Sequence, residues 1–233
     1  MAAIRAVAVV IPARDEEKLI RRCLESVRAA VGHAAMTSFP VPRILVVLVA
    51  DRCTDQTVAI GREFSEVSVL EVDAANVGIA RGAGIRYALA TLDKPLPNVW
   101  IANTDADSVV PTNWITTQLD LAKHKGVMVG TVRPDFAELL PHQIEAWKLT
   151  HIPGKPNGHV HGANLGVRAD LYRSAGGFAR VTEHEDNLLV STLKDSGVQV
   201  IASDSCEVMT SARREGRTPG GYAEYLRMAL ATG

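Results

Sequence analysis

Four short apolar runs separated by helical patterns constrain this chain more than any other feature. They are residues 6–11, 44–49, Val67–Val72 and Val99–Asn103. Between them lie three helical stretches, at 16–31, 55–64 and 78–92; in the first, Leu19, Ile20, Cys23, Leu24 and Val27 share one face. Continuous apolar strands alternating with helices predict a mostly parallel sheet buried on both faces, an α/β fold with helices on each side. Ligands of such sheets sit at the carboxyl ends of the strands. The polar clusters at 12–17, 51–55 and 104–108 each follow a predicted strand and should converge on one rim.

The chain of 233 residues suits one sizeable domain. Apolar residues at 47% and charged residues at 22% argue against disorder, and a net charge of −1 supplies no pull toward nucleic acid. Cys23, Cys53 and Cys206 match neither a zinc spacing nor a disulfide framework, as expected of reduced thiols in a cytoplasmic protein. The run at 6–11 is too short to span a bilayer and lacks a cleavage site after it; no transmembrane segment is expected.

The last third is less regular. Strands are predicted at Val127–Pro134 and 198–202, helices at 139–152, 169–175, 187–196 and 222–230, and loops at 154–161 and 213–221. The terminal helix leaves a homodimer open.

Thr104-Asp105-Ala106-Asp107-Ser108 is the strongest chemical feature. The chain is expected to turn there, one carboxylate holding a divalent cation and the other a sugar or ribose hydroxyl. Hard cations take oxygen ligands and share them with substrate phosphates. A solvated turn of Asp and Ser is the plain alternative. Glu183-His184-Glu185-Asp186 precedes an amphipathic helix. An acidic residue there can simply cap the helix. Four ionisable residues exceed what a cap needs, however, and crowded carboxylates raise one another's pKa, which suits a general base. Val160 to Asn164 places small residues around an Asn, either as backbone close to a ligand or as a tight turn. His142, His151, His159 and His161 lack the spacing of a zinc site. Residues 76–84 open a helix whose N-terminus could face an anion; Arg81 within it is either a surface charge or a donor to base or phosphate.

As an ordered set, residues 11–17, 50–57, 76–84 and 104–108, followed by Gly162-Ala163-Asn164 and Glu185-Asp186, resemble the family-2 glycosyltransferases with the GT-A fold. The resemblance implies a single Rossmann-like domain with a nucleotide-binding half at 1–108 and an acceptor and catalytic-base half at 109–233. It implies that Pro12, Ala13, Arg14, Asp15 and Glu16 line the nucleoside pocket, that Asp51 pairs with the base, and that Arg81 contacts base or phosphate. Asp105, Ala106 and Asp107 would form the Asp-x-Asp site, with Asp107 the main ligand to Mn2+ or Mg2+. His161, Gly162, Ala163 and Asn164 would border sugar and acceptor, and Asp186 would be the base with Glu185 beside it. Asp15 stands where the family usually has Asn, and Arg52-Cys53 where a second Asp or Gly-Ser is common; UDP is favoured. Some relatives supply a metal-binding His after residue 200, whereas this chain has Arg213, Arg214 and Arg217, which would take the diphosphate charge directly unless water or phosphate completes the metal site.

The expected activity is inverting transfer of a sugar from a nucleotide diphosphate donor to an acceptor hydroxyl, with Asp186 as general base. One rival is a degenerate binder of nucleotide sugars, for which an intact Asp186 would be superfluous. The other is a nucleotidyl or phosphoryl transferase, which fits poorly with an Asp-x-Asp after the fourth strand and with Ala13-Arg14-Asp15-Glu16 after the first. Without a predicted span, a processive polysaccharide synthase is not expected, and a lipid acceptor would be met at the membrane surface.

Overall fold

Strand β1 (Ala6–Ala13) is buried at every position, and two residues extend it beyond the apolar run. It lies between β2 (Arg43–Asp51) and β4 (Val99–Asn103), parallel to both, with Val9 opposite Val46 on one side and Ala102 on the other. A further parallel strand, β3 (Val67–Val72), pairs with β2. The computed structural model describes residues 2–213 and 222–229.

Successive β1 side chains enter opposite cores, as the period of two requires. Val7, Val9 and Ile11 pack with Cys23, Leu24 and Val27 of α1 (Ile20–Thr37). Ala6, Ala8 and Val10 pack with Ala80, Ile85 and Ala88 of α3 (Val77–Leu92). The short α2 (Thr57–Arg62) joins β2 to β3. Helix α1 begins four residues later than its apolar pattern suggests. The intervening chain is held to the β2–α2 loop: Glu16 N donates to Thr57 Oγ1 at 2.7 Å and Glu17 N to Asp55 Oδ2 at 2.9 Å.

The second half continues the same sheet with mixed direction. It contains β5 (Ser108–Val109), α4 (Trp114–Ala122), β6 (Val127–Pro134), α5 (Pro141–Thr150), β7 (Leu165–Arg168), α6 (Ala169–Ser174), α7 (Glu185–Asp195), β8 (Val200–Thr210) and α8 (Tyr222–Ala229). The strand order is β3-β2-β1-β4-β7-β6-β8-β5. β7 is antiparallel to both β4 and β6, β5 is antiparallel to β8, and β6 and β8 are parallel. The sheet is mostly parallel, as expected, with antiparallel pairs where β7 and β5 insert.

Four elements depart from the sequence reading, among them strands β5 and β7, where no strand was predicted. Helix α4, with Trp114 and Ile115 buried, was not foreseen. Strand β8 runs eight residues past 202, with Cys206, Val208 and Thr210 buried in alternation. Among the described residues, no helix is long and apolar enough to cross a membrane.

Candidate active site

A cleft of about 500 Å3 opens at the carboxyl ends of β1, β2 and β4. β1 and the turn after it contribute Pro12, Ala13, Arg14 and Glu16; β2 contributes Asp51; α3 contributes Arg81. The turn after β4 adds Asp105, Ala106 and Asp107, closed by Ser108 N donating to Asp105 O at 3.1 Å. From the other half come His161, Gly162, Ala163, Glu185, Asp186 and Arg213. The polar clusters that follow the first, second and fourth strands do meet on one rim.

Asp15 does not line this cleft. Its Oδ1 accepts from Thr54 N at 2.7 Å, a bond that holds its carboxyl below the usual pKa. Asp15, Cys53 and Asp55 bring potential ligand atoms within 4.8 Å of one another, also away from the cleft lining. Asn164 is likewise turned away. Its amide donates to Thr131 O at 3.0 Å and to Cys206 O at 2.9 Å, and its Oδ1 accepts from Trp114 Nε1 at 3.0 Å, so the side chain ties α4, β6 and β8 together inside the core. Asp51 reaches the cleft with both oxygens engaged: Ala74 N and Ala75 N donate to Oδ1 at 2.8 and 2.9 Å, and Asn76 N donates to Oδ2 at 3.1 Å. Arg214 and Arg217 lie outside the described residues.

Arg81 is no surface charge. Its side chain is 3% exposed, and it donates to Asp105 Oδ1 at 2.5 Å, to Glu185 Oε1 at 3.3 Å and to Gly162 O at 3.3 Å. One guanidinium therefore links the Asp-x-Asp turn, the start of α7 and the glycine turn. Burial pushes the Glu185 carboxyl up despite the opposing pull of Arg81. Asp186, the next residue, accepts from Gly162 N at 2.7 Å through Oδ2 and from Asn187 N at 2.8 Å through Oδ1. Backbone donors thus hold its carboxylate on the wall of the cleft.

Asp107 is pushed up to about 6, first by burial and then by repulsion from Asp105, with Arg213 pulling the other way. Its Oδ1 accepts from the Thr210 hydroxyl at 3.2 Å, and its Oδ2 pairs with Arg213 Nη2 at 2.8 Å. This donor set is all oxygen, with two carboxylates on one turn. It fits a hard divalent cation whose remaining ligands come from phosphate or water. Thr210 was missed because β8 was ended too early; the alternation through Cys206, Val208 and Thr210 was the signal that could have found it. His161, packed edge-to-face on Tyr222 with 5.4 Å between ring centroids, is pushed down to about 4 by burial.

The family model of glycosyl transferase family 2 matches residues 8–168, more than half of the chain. The chain belongs to this family. The match takes in the β1 turn, Asp51, Arg81, the Asp-x-Asp turn and the glycine turn, and it ends before Glu185, Asp186 and Arg213. None of the curated proteins matches the chain.

Solved structures agree on the fold of this family-2 domain, which is the GT-A fold expected. A TarS fragment (residues 1–349) from S. aureus, in complex with UDP-GlcNAc, superposes with a TM-score of 0.67 at 15% identity, covering 98% of this chain and 66% of that one. The mannosyltransferase PcManGT from Pyrobaculum calidifontis, in complex with GDP-Man and Mn2+, gives 0.66 at 18% identity, covering 99% and 70%. GalNAc-T7, with UDP, GalNAc and Mn2+, gives 0.65 at 14% identity, covering 97% and 48%. The chain therefore spans just under two thirds of the TarS fragment and about half of GalNAc-T7.

Proposed function

We propose that this family-2 domain transfers a sugar from a nucleotide diphosphate donor, with UDP favoured, to an acceptor hydroxyl with inversion. The observation that carries the reading is the meeting of Asp105, Asp107 and Asp186 in one cleft, with Asp105 and Asp186 linked through Arg81 and Gly162. The nucleotide sugars bound by TarS and PcManGT, and the Mn2+ of PcManGT and GalNAc-T7, support it.

In this reading the rim of Pro12, Ala13 and Arg14 takes the nucleoside. Glu16 and Asp51 border that rim. Arg81 acts behind the ligand as a positioning residue, since each of its three nitrogens already donates to a protein group. His161, Gly162 and Ala163 border the sugar and acceptor. Asp186 takes the proton of the acceptor hydroxyl as that oxygen attacks the anomeric carbon and the bond to the diphosphate breaks. The backbone bonds to Asp186 fix its direction and leave lone pairs to receive that proton. Mn2+ or Mg2+ held by Asp107, with Asp105 beside it, would supply Lewis-acid stabilisation of the departing diphosphate. Arg213 also lies where it can meet diphosphate charge.

Thermal unfolding with nucleoside diphosphates, with and without Mn2+, tests the donor site. A ligand at about 100 times its Kd adds about 2.7 kcal/mol, a rise of roughly 5–10 °C for a domain of this size. Asp186→Asn is expected to keep that shift while turnover falls by about 100-fold or more. Near-normal turnover of the variant rejects Asp186 as the base, and a product of retained configuration rejects the displacement. No shift with any nucleotide rejects the donor site.

A further inference from the structure

Among the described residues, two guanidiniums face the Asp-x-Asp turn, and they differ in a way that matters. Arg81 is buried and bound by three groups of the protein. Arg213 is one-third exposed at the end of β8. Its Nη2 lies 2.8 Å from Asp107 Oδ2, and its Nη1 lies 2.9 Å from Glu16 Oε1 and 3.2 Å from Oε2. Both acceptors are well buried, with side chains 12% exposed for Asp107 and 7% for Glu16.

The backbone beneath Arg213 is anchored independently of this contact. Ala212 N donates to Glu138 Oε2 at 2.7 Å, the Ser211 hydroxyl donates to the same oxygen at 3.1 Å, and Arg213 N donates to Ser211 Oγ at 3.2 Å. The long side chain can therefore leave Asp107 without the strand end moving. While it stays, Asp107 offers little to a metal: Thr210 occupies Oδ1 and the guanidinium occupies Oδ2. A divalent ion arriving at Oδ2 would meet a fixed positive charge within a few ångströms, inside a cleft where screening is weak.

We propose that Arg213 is a resident cation that closes Asp107 to divalent metal in the donor-free protein and gives way when a diphosphate arrives to receive it. The inference rests on reading the cleft as a donor site. It explains why this chain carries Arg213, and no His, in the segment just after β8. The guanidinium neutralises the Asp107–Glu16 pair when the cleft is empty and moves to phosphate when the cleft is filled. Metal and nucleotide then bind with positive coupling, each removing an obstacle to the other.

Calorimetric titration of MnCl2 alone, with no nucleotide, tests this on the whole chain. Arg213→Gln is expected to bind Mn2+ about ten-fold or more tightly than the wild type, since a like charge leaves the site. Adding Asp107→Asn to that variant is expected to cancel the gain. Unchanged or weaker Mn2+ binding by Arg213→Gln overturns the proposal, as does a gain that survives loss of the Asp107 carboxylate. The melting curve of each protein is recorded first, and Arg213→Met replaces the Gln variant should that one not fold. UDP and GDP are titrated separately with Mn2+ present. If neither binds, the donor-site reading fails, while the titration of Mn2+ alone still judges Arg213.

Discussion

Replacing Arg81 by Met would leave Glu185, whose side chain is 6% exposed, without its cation, and would free Gly162 O and Asp105. Removing one partner of a buried ion pair costs about 3–5 kcal/mol, and urea denaturation at pH 7 should show a loss of that order. The loss should shrink toward acid pH, because burial already favours the protonated form of Glu185. At this scale the sequence was legible wherever a carboxylate directly follows a strand or opens a helix, as with Asp105, Asp107 and Asp186. It was not legible where a polar side chain is consumed by a distant partner. The Asn164 amide serves Thr131, Cys206 and Trp114, and Asp15 serves Thr54, contacts that no local pattern encodes.

Helix α3 shows the same division among elements. Its extent was readable to within a residue, and Asn76 caps it by accepting from Ile79 N at 2.9 Å. The sequence reading concerned its N-terminus, which could face an anion; further along, Gly84 lets the helix approach the sheet. A Cβ there would stand 2.5 Å from Val49 Cγ2 and 2.8 Å from Val10 Cγ1. Gly84→Ala should destabilise the domain by about 1–3 kcal/mol through overpacking, even though alanine is the better helix former; chemical denaturation distinguishes this from a gain. Helix α4 was missed because its Trp114 and Ile115 are followed by Thr116 and Thr117, a β-branched run with weak local helix preference. Its burial against α1, β4, β6 and β8 decides the outcome.

Across the whole molecule, His161 packs on Tyr222 of α8 and feels the fields of Asp186 and of Asp105. Its folded pKa of about 4 lies below the ordinary 6.5, so the folded state holds the neutral ring. The stability this contributes is present above pH 6.5 and is lost as pH falls toward 4. Asp107 has the opposite sign: its pKa is raised from 3.8 to about 6, so its contribution is lost as pH rises through that window. Comparison with His161→Gln isolates the first effect. Between pH 7 and 4.5 the wild type should lose about 1–3 kcal/mol more than the variant in urea melts; equal losses would show that the ring is not held neutral.

Taken alone, the sequence determined the α/β class, most strand positions in the first half and the rim on which the polar clusters gather. Each of these follows from local periodicity and from the strand-end rule of parallel sheets. The tertiary structure decided the remainder. It set the direction of β7, the length of β8, the burial of Arg81 between Asp105 and Glu185, and the seating of Arg213 on Asp107 and Glu16. Those outcomes depend on groups as far apart as Glu16 and Arg213. Which charge meets which is settled only when the sheet brings their strand ends together and burial makes an unpaired charge costly.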